Sequence, residues 1–288
     1  MRWAEILIET TVEAQDAVAN IMTENGCAGT AMQGEAPVEV RCYLPVDDRL
    51  EDRLLDMKED LAELPKFGLE VGNGELTINY VEEQDWAESW RQYFKTMRVG
   101  KRFVIKPTWD KYVPQRGDVL IELDPGMAFG TGSHQTTRLC LQALEKYMRP
   151  RGLVVDFGTG SGILAIAAVK LGAALVIAFD SDEIAVKAAR ENVLRNNTDD
   201  RTEVHQAENS RFINKQVDVV TANIVAETII ANAEDLGNLL KLGGILIASG
   251  ITTGKAFDVE IALKNQGFDM REQLKEDDWV CIVAIKAN

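Results

Sequence analysis

Three glycines at alternate positions stand out in residues 156–162, which read DFGTGSG. The apolar run LVV precedes them, and a second apolar run with helical spacing begins at Ile163. This order predicts a strand, a tight turn and the start of a helix, where backbone N–H groups point towards a nucleotide-like ligand. Glycine suits such a turn because a Cβ atom would obstruct the chain reversal, the ligand or the packing of the helix. Taken alone, the motif fits an ordinary glycine-rich turn equally well.

The spacing of the glycines distinguishes between cofactors. A dinucleotide fingerprint, G-x-G-x-x-G, that starts at Gly158 needs its third glycine at position 163, where the chain has Ile163. This disfavours a nicotinamide-dependent oxidoreductase. The sequence reads D-x-G-x-G-x-G instead, which is similar to the S-adenosylmethionine loop of class I methyltransferases.

A carboxylate follows the next apolar run. Residues 175–179 predict a second strand, and Asp180 comes directly after it, 22 residues after Gly158. At this position a carboxylate accepts hydrogen bonds from both hydroxyls of an adenosine ribose, and its charge repels a 2′-phosphate. The alternative is that Asp180 caps the helix predicted from residue 183, a role that Asp182 could serve equally well.

Residues 123–137, LDPGMAFGTGSHQTT, form a second glycine-rich motif. They predict a loop and then a helix that begins near His134, with Ser133 as its N-cap. A glycine-rich loop at a helix N-terminus is suited to the charged amino-acid end of a cofactor. The pattern is also typical of a simple turn, so it identifies no catalytic residue by itself.

A polar residue, Asn223, follows the strand predicted at 217–222. Methyltransferases that modify nitrogen often have Asn-Pro-Pro-Tyr at this place, where it holds a planar amide or base. Ile224 and Val225 replace the two prolines here, which favours an acceptor that is not a flat base. We expect Asn223 to orient the acceptor nitrogen.

The elements that must position these residues fall into three regions. Residues 1–83 have the order β-α-β-β-α-β, which predicts a ferredoxin-like α+β domain for substrate recognition. Residues 84–97 are aromatic with helical spacing and predict a linker helix. Residues 98–288 predict a catalytic α/β domain whose doubly wound sheet begins near residue 150. Strands are predicted at 3–9, 38–44, one or two within 69–81, then at 99–107 and 119–123, and in the doubly wound sheet at 153–156, 175–180, 202–207, 217–222, 244–249, 268–275 and 279–286.

Acidic residues are concentrated in the first region. The formal net charge is −15, and residues 1–83 hold 19 acidic and 6 basic side chains. Such a domain repels nucleic acids and membrane phosphates and attracts a basic partner, although acidic residues also serve solubility alone. The start of the chain, MRWAE, has no apolar signal segment. The four cysteines include no CxxC pair and there are only two histidines, so we expect reduced thiols, no metal site and a cytoplasmic location.

These motifs together resemble the PrmA family, bacterial methyltransferases of ribosomal protein L11. The resemblance rests on LDPGMAFGTGSHQTT, DFGTGSGILAIAA, FDSDEIAV and TANIVAE, and it extends over essentially the whole chain. It implies a class I (Rossmann-like) S-adenosylmethionine-dependent methyltransferase with an N-terminal ferredoxin-like domain that captures the free ribosomal protein. The implied reaction is methylation of lysine ε-amines and of the N-terminal α-amine. Nothing in the sequence suggests an obligate dimer, so we expect a monomer.

The resemblance also implies roles for individual residues. Carried over position by position, the cofactor contacts are Thr137, Gly158, Asp180 and Asn223, and the residues that line the same pocket are Phe129, Gly130 and Gly160. Two departures from the family pattern are small: Thr159 stands where members often have cysteine, and Ser-His-Gln at 133–135 replaces Thr-His-Pro. No side chain is an obvious general base. The alternatives are a class I methyltransferase acting on another protein, a small-molecule amine or RNA, and a non-catalytic nucleotide-binding protein.

Overall fold

The computed structural model describes residues 2–27, 29–34, 37–82, 94–124, 130 and 132–287. The chain divides into two compact units, Met1–Tyr93 and Phe94–Asn288. Most of the predicted linker helix, residues 84–93, lies outside the described residues. Residues 94–96 are irregular and Met97 begins a strand, so a helix does not continue to residue 97 as predicted.

The first unit is a four-stranded antiparallel sheet with two helices. Its elements are β1 (Arg2–Thr10), α1 (Gln15–Glu24), β2 (Thr30–Gln33), β3 (Val38–Pro45), α2 (Leu50–Glu63) and β4 (Leu76–Glu82). The strands lie in the order β2-β3-β1-β4, and every neighbouring pair is antiparallel. This is the ferredoxin-like arrangement, so the predicted fold of the unit is confirmed.

Alternating side chains build the core of the first unit. Ala4, Ile6 and Ile8 on β1 are fully buried in a cluster with residues of α1 and α2. Their spacing of two places them on one face of the sheet. Cys27 and Cys42 lie in the same core and are joined by a disulfide, with Cα atoms 6.0 Å apart. The expectation of reduced thiols is therefore wrong for this pair.

The second unit contains a three-stranded and a seven-stranded sheet. The smaller sheet comprises β5 (Met97–Val99), β6 (Phe103–Lys106) and β7 (Val119–Glu122). The larger sheet and its helices follow in the order α3 (Gln135–Tyr147), β8 (Leu153–Phe157), α4 (Ile163–Lys170), β9 (Leu175–Asp180), α5 (Glu183–Arg195), β10 (Thr202–Gln206), β11 (Val217–Asn223), α6 (Ala226–Ala231), α7 (Ala233–Leu239), β12 (Leu240–Thr252), α8 (Ala256–Asn265), β13 (Phe268–Glu276) and β14 (Trp279–Lys286).

The seven strands lie in the order β10-β9-β8-β11-β12-β14-β13. The first five are parallel, and β14 is antiparallel to both of its neighbours. All strands predicted for this sheet are present, although β12 begins four residues earlier and ends three residues later than predicted. β9 and β10 lie on one side of β8, whereas β11 and β12 lie on its other side, so the strand order reverses beside β8. Folds of this kind bind ligands at the carboxyl edge of the sheet near such a reversal.

Helices cover both faces of the larger sheet. Val154 on β8 belongs to a core cluster with residues of α3 and α4, whereas the adjacent Val155 belongs to a cluster with residues of α6, α7 and α8. Strands buried on both faces read as continuous apolar runs, which is why the sequence predicts them well. Within the described part of the chain, none of the helices is both long and apolar enough to cross a bilayer.

Candidate active site

The glycine-rich turn connects β8 to α4 at the carboxyl edge of the larger sheet. Gly158, Gly160 and Gly162 have φ angles of 70°, 54° and 83°, in the left-handed region that favours glycine. The N–H of Gly158 donates to the carbonyl oxygen of Phe179 on β9, at 3.0 Å. A Cβ atom on Gly158 would lie 2.5 Å from Cγ2 of Ile224, which follows β11. The turn therefore lies between the ends of the two strands that flank β8.

Asp180 lies beside this turn at the end of β9. Its Oδ2 accepts a hydrogen bond from the N–H of Gly160 at 2.9 Å, and its Oδ1 accepts one from the N–H of Asp182 at 3.1 Å. The side chain of Asp182 caps α5 by accepting from the N–H of Ile184 at 2.9 Å, so Asp180 is not the cap. The half-buried carboxylate of Asp180 keeps further lone pairs for hydroxyl donors of a ligand.

A second carboxylate, Asp156, supports the turn from inside the protein. Its side chain is buried, and its two oxygens accept hydrogen bonds from the hydroxyls of Thr159 and Thr221, both at 2.6 Å. Burial raises the pKa of Asp156 because desolvation disfavours the charged form, and the two hydroxyl hydrogen bonds oppose this rise. The sequence motif assigns no role to Asp156. The polar Thr221 within the apolar run of β11 is the signal that indicates such a buried partner.

Asn223 and Thr137 meet at the same edge. Nδ2 of Asn223, at the end of β11, donates to Oγ1 of Thr137 in the first turn of α3, at 3.3 Å. Oδ1 of Asn223 is buried and has no hydrogen-bond donor among the described residues. A buried polar atom without a partner costs about 1–3 kcal/mol, so this oxygen is a place where a ligand N–H would be stabilised.

The second glycine-rich motif is described in part. Phe129 lies outside the described residues. The carbonyl oxygen of Gly130, whose φ is 98°, accepts a hydrogen bond from the hydroxyl of Ser161 at 2.6 Å, which joins the two glycine motifs. The N-cap of α3 is His134, whose side chain accepts from the N–H of Thr136. The prediction of Ser133 as the cap is wrong because the helix begins one residue later than expected.

The structure brings six of the seven predicted site residues to one edge of the sheet, namely Gly130, Thr137, Gly158, Gly160, Asp180 and Asn223. Like the role of Asp156, two further contacts of the turn are not indicated by the sequence motifs. The hydroxyl of Ser161 donates to the carbonyl oxygen of Gly130, and Ile224 packs on Gly158. The position of Ser161 between two glycines is a signal for the first contact. No feature of the sequence points to Ile224 as a packing partner.

The sheet order and the site together define a class of protein. A seven-stranded sheet with one antiparallel strand next to its edge, a glycine turn after β8, a carboxylate after β9 and a polar residue after β11 is the arrangement of a Rossmann-like, class I methyltransferase. The donors and acceptors of this site fit a nucleoside cofactor. Asp180 has acceptor capacity for ribose hydroxyls, and Asn223 Oδ1 has no donor among the described residues.

The chain belongs to the PrmA family, because residues 2–287 match the family model described as "Ribosomal protein L11 methyltransferase (PrmA)". Two relatives named "Ribosomal protein L11 methyltransferase" are similar over their full length. The protein of Bacillus cytotoxicus is 41% identical over 312 aligned positions that cover 100% of both chains. That of Brevibacillus brevis is 43% identical and covers 99% of this chain and 100% of its own.

A solved structure is also similar. The ribosomal protein L11 methylase of Lactobacillus delbrueckii subsp. bulgaricus superimposes with a TM-score of 0.63 and is 31% identical. The match covers 68% of this chain and 100% of that chain. The family resemblance and the predicted fold class are both confirmed.

Proposed function

We propose that this methyltransferase uses S-adenosylmethionine to methylate amines of free ribosomal protein L11 in the cytoplasm, and that it acts as a monomer. The names of the full-length relatives support this acceptor. The structural observation that carries the proposal is the buried Oδ1 of Asn223, which has no donor among the described residues and lies beside Thr137 and the glycine turn. An uncharged amine has an N–H group that can donate a hydrogen bond to this oxygen.

Residues at the carboxyl edge would hold the cofactor. Asp180 would accept hydrogen bonds from the ribose hydroxyls. The backbone of Gly158 and Gly160 would pass close to the ligand because neither residue carries a Cβ atom. Gly130 and Thr137 would line the pocket on the side of α3. When bound, S-adenosylmethionine supplies a methyl group on a positively charged sulfur.

The acceptor amine must be uncharged to react. An unperturbed lysine has a pKa of about 10.4, so holding it neutral at pH 7 costs about 4.6 kcal/mol, whereas an α-amine with a pKa of about 7.7–8.0 needs less help. Desolvation at the site and the positive charge of the cofactor both lower the pKa of a bound amine. Asn223 contributes an uncharged acceptor, which orients the nitrogen and favours the ammonium form less than a carboxylate would. Positioning and desolvation, rather than a general base, carry the reaction in this proposal.

We assign capture of the acceptor to residues 1–83 and catalysis to residues 98–288. With 19 acidic and 6 basic side chains, residues 1–83 would attract a lysine-bearing protein and repel nucleic acid. Attraction between exposed charges is screened beyond about 8–10 Å at physiological salt. The first unit would therefore raise the rate of encounter more than the rate of the chemical step.

The acceptor is tested by incubating the full chain with radiolabelled S-adenosylmethionine and a panel of purified ribosomal proteins. We expect label on L11 alone, at lysine ε-amines and the α-amine when the product is analysed by mass spectrometry. A chain that binds the cofactor and labels a different protein, or none, would contradict the acceptor assignment.

The role of Asn223 has its own test. Asn223→Ala should lower turnover, and Asn223→Asp should move the pH profile of turnover to higher pH because the new carboxylate favours the ammonium form. The control is Asn232→Ala, since that side chain already donates to the carbonyl oxygen of Thr228 at 2.8 Å. Unchanged turnover and cofactor affinity in Asn223→Ala would refute the proposed role.

A further inference from the structure

Exposed apolar side chains lie at the edge of the sheet that carries Asn223. β11 and β12 are parallel neighbours, and Asn223 pairs with Ser249 near their carboxyl ends. The helices that follow them, α6 and α8, therefore begin at the same edge. Val225, the residue before α6, is 61% exposed, and Phe257, in the first turn of α8, is 69% exposed.

The two helix starts are held together. Nζ of Lys255, just before α8, lies 3.0 Å from Oε1 of Glu227 in the first turn of α6. The two helices also contact each other, and each carries a further exposed isoleucine. We refer to these four side chains as the apolar rim: Val225, Ile230, Phe257 and Ile261. Phe257 and Ile261 are four residues apart, so they share one face of α8.

We infer that the apolar rim docks the segment of the protein acceptor that flanks the reacting amine. This inference rests on the proposed function. The starts of α6 and α8 lie at the same carboxyl edge of the sheet as Asn223, so a segment that contacts the rim lies along the edge at which the reacting amine must enter. Large apolar side chains exposed beside a site mark surfaces for protein partners, whereas a small-molecule amine would have no use for them.

The charges around the rim fit a cationic segment. The two helices and the residue before α8 carry three carboxylates and two ammonium groups, which leaves one negative charge in excess: Glu227, Asp258, Glu260, Lys255 and Lys264. The occupant is therefore a peptide segment with an apolar side chain next to its lysine or N-terminal amine and further positive charge nearby.

The test compares Phe257→Ala with a matched control, using purified ribosomal protein L11 as the acceptor. We expect the KM for the protein to rise about tenfold, as for an exposed aromatic anchor of an interface, while kcat and the Kd for S-adenosylmethionine stay unchanged. Phe257→Leu should retain most of the affinity. Leu242→Ala is the control, because Leu242 is similarly exposed, at 68%, but lies near the start of β12 at the opposite edge of the sheet.

The possible outcomes separate this inference from the proposed function. An unchanged KM in Phe257→Ala, or an equal rise in Leu242→Ala, would overturn docking at the rim while the wild type still methylates L11. Sedimentation velocity tests whether the rim is a contact between copies of the chain. If Phe257→Ala lost self-association and kept an unchanged KM, the rim would be such a contact, and docking of the acceptor there would be overturned. If the wild type bound the cofactor but labelled no L11, the proposed function would be refuted. The inference that the rim docks the acceptor would then also fail, because it rests on that function.

Discussion

Alanine variants of Gly158 and Gly243 separate two free-energy costs of adding a Cβ atom to a turn, namely backbone strain and overpacking. Gly158 has a φ of 70°, and the new Cβ atom would lie 2.5 Å from Cγ2 of Ile224. Gly243, at the opposite edge of the same unit, has a φ of 75°, and a Cβ atom there would have no neighbour within 4 Å. Gly243→Ala thus carries only the backbone cost of about 1–2 kcal/mol. Gly158→Ala carries that cost and an overpacking cost of about 1–3 kcal/mol.

The overpacking also affects the site. Ile224 is bonded to Asn223, so relief of the clash moves the turn away from the end of β11. Cofactor binding must then restore the native arrangement against the same 1–3 kcal/mol, which corresponds to an affinity about 5- to 150-fold weaker. Gly243→Ala should leave the affinity unchanged, because its turn lies away from the carboxyl edge.

Urea unfolding gives the two stability losses, and isothermal titration calorimetry with S-adenosylmethionine gives the two affinities. Ile224→Ala removes Cγ2, so the double variant with Gly158→Ala should bind the cofactor as tightly as Ile224→Ala alone. Equal stability losses in the two glycine variants, combined with wild-type affinity in Gly158→Ala, would refute the argument. Failure of Ile224→Ala to rescue Gly158→Ala would show that the contact with Ile224 is not the cause.

Three further predictions follow from the site and from the charge of the first unit. Asp180→Ala should weaken S-adenosylmethionine binding about tenfold or more in calorimetry, whereas Asp182→Ala should mainly lose a helix cap worth about 1 kcal/mol in urea unfolding. The folded protein binds the proton of Asp156 more tightly than the unfolded chain, so this residue's contribution to stability falls as pH rises above about 3.9. Asparagine does not titrate, so the Asp156→Asn variant does not lose stability in this way. The unfolding free energy of the variant minus that of the wild type should therefore increase with pH, and a difference that stays constant with pH would contradict the raised pKa of Asp156. Initial methylation rates at low concentrations of ribosomal protein L11 should fall as salt is raised from about 50 to 300 mM, and a salt-independent rate would argue against steering by residues 1–83.

The sequence predicts the seven strands of the larger sheet well because their residues are buried on both faces and form apolar runs of strand length. The smaller unit is harder to predict. β2 (Thr30–Gln33) has no predicted counterpart, since three of its four residues are exposed and it pairs only with β3. An edge strand of this kind has no alternation of buried and exposed side chains for a pattern to detect.

The site is predictable where it depends on local backbone geometry and not where it depends on the register of distant strands. The spacing of Gly158 and Asp180 reflects one strand–helix–strand unit, so the sequence indicates their proximity. The contact between Asn223 and Thr137 joins residues 86 positions apart. It requires β11 to lie beside β8 and α3 to cross the end of β11, and only the folded sheet specifies both. The packing of Ile224 on Gly158 depends on the same arrangement.

The two carboxylates at the glycine turn have different tasks because their surroundings differ. Asp156 is buried and receives two hydroxyl hydrogen bonds, so a neutral side chain of the same shape could hold Thr159 and Thr221 equally well. Asp180 is half-buried, binds the turn through the N–H of Gly160 and, in the proposed function, would accept hydrogen bonds from the ribose. Its negative charge is what repels a 2′-phosphate, and no neutral side chain reproduces that. Asp156 therefore maintains the shape of the turn, whereas Asp180 anchors the turn and, in the proposed function, would also select the ligand.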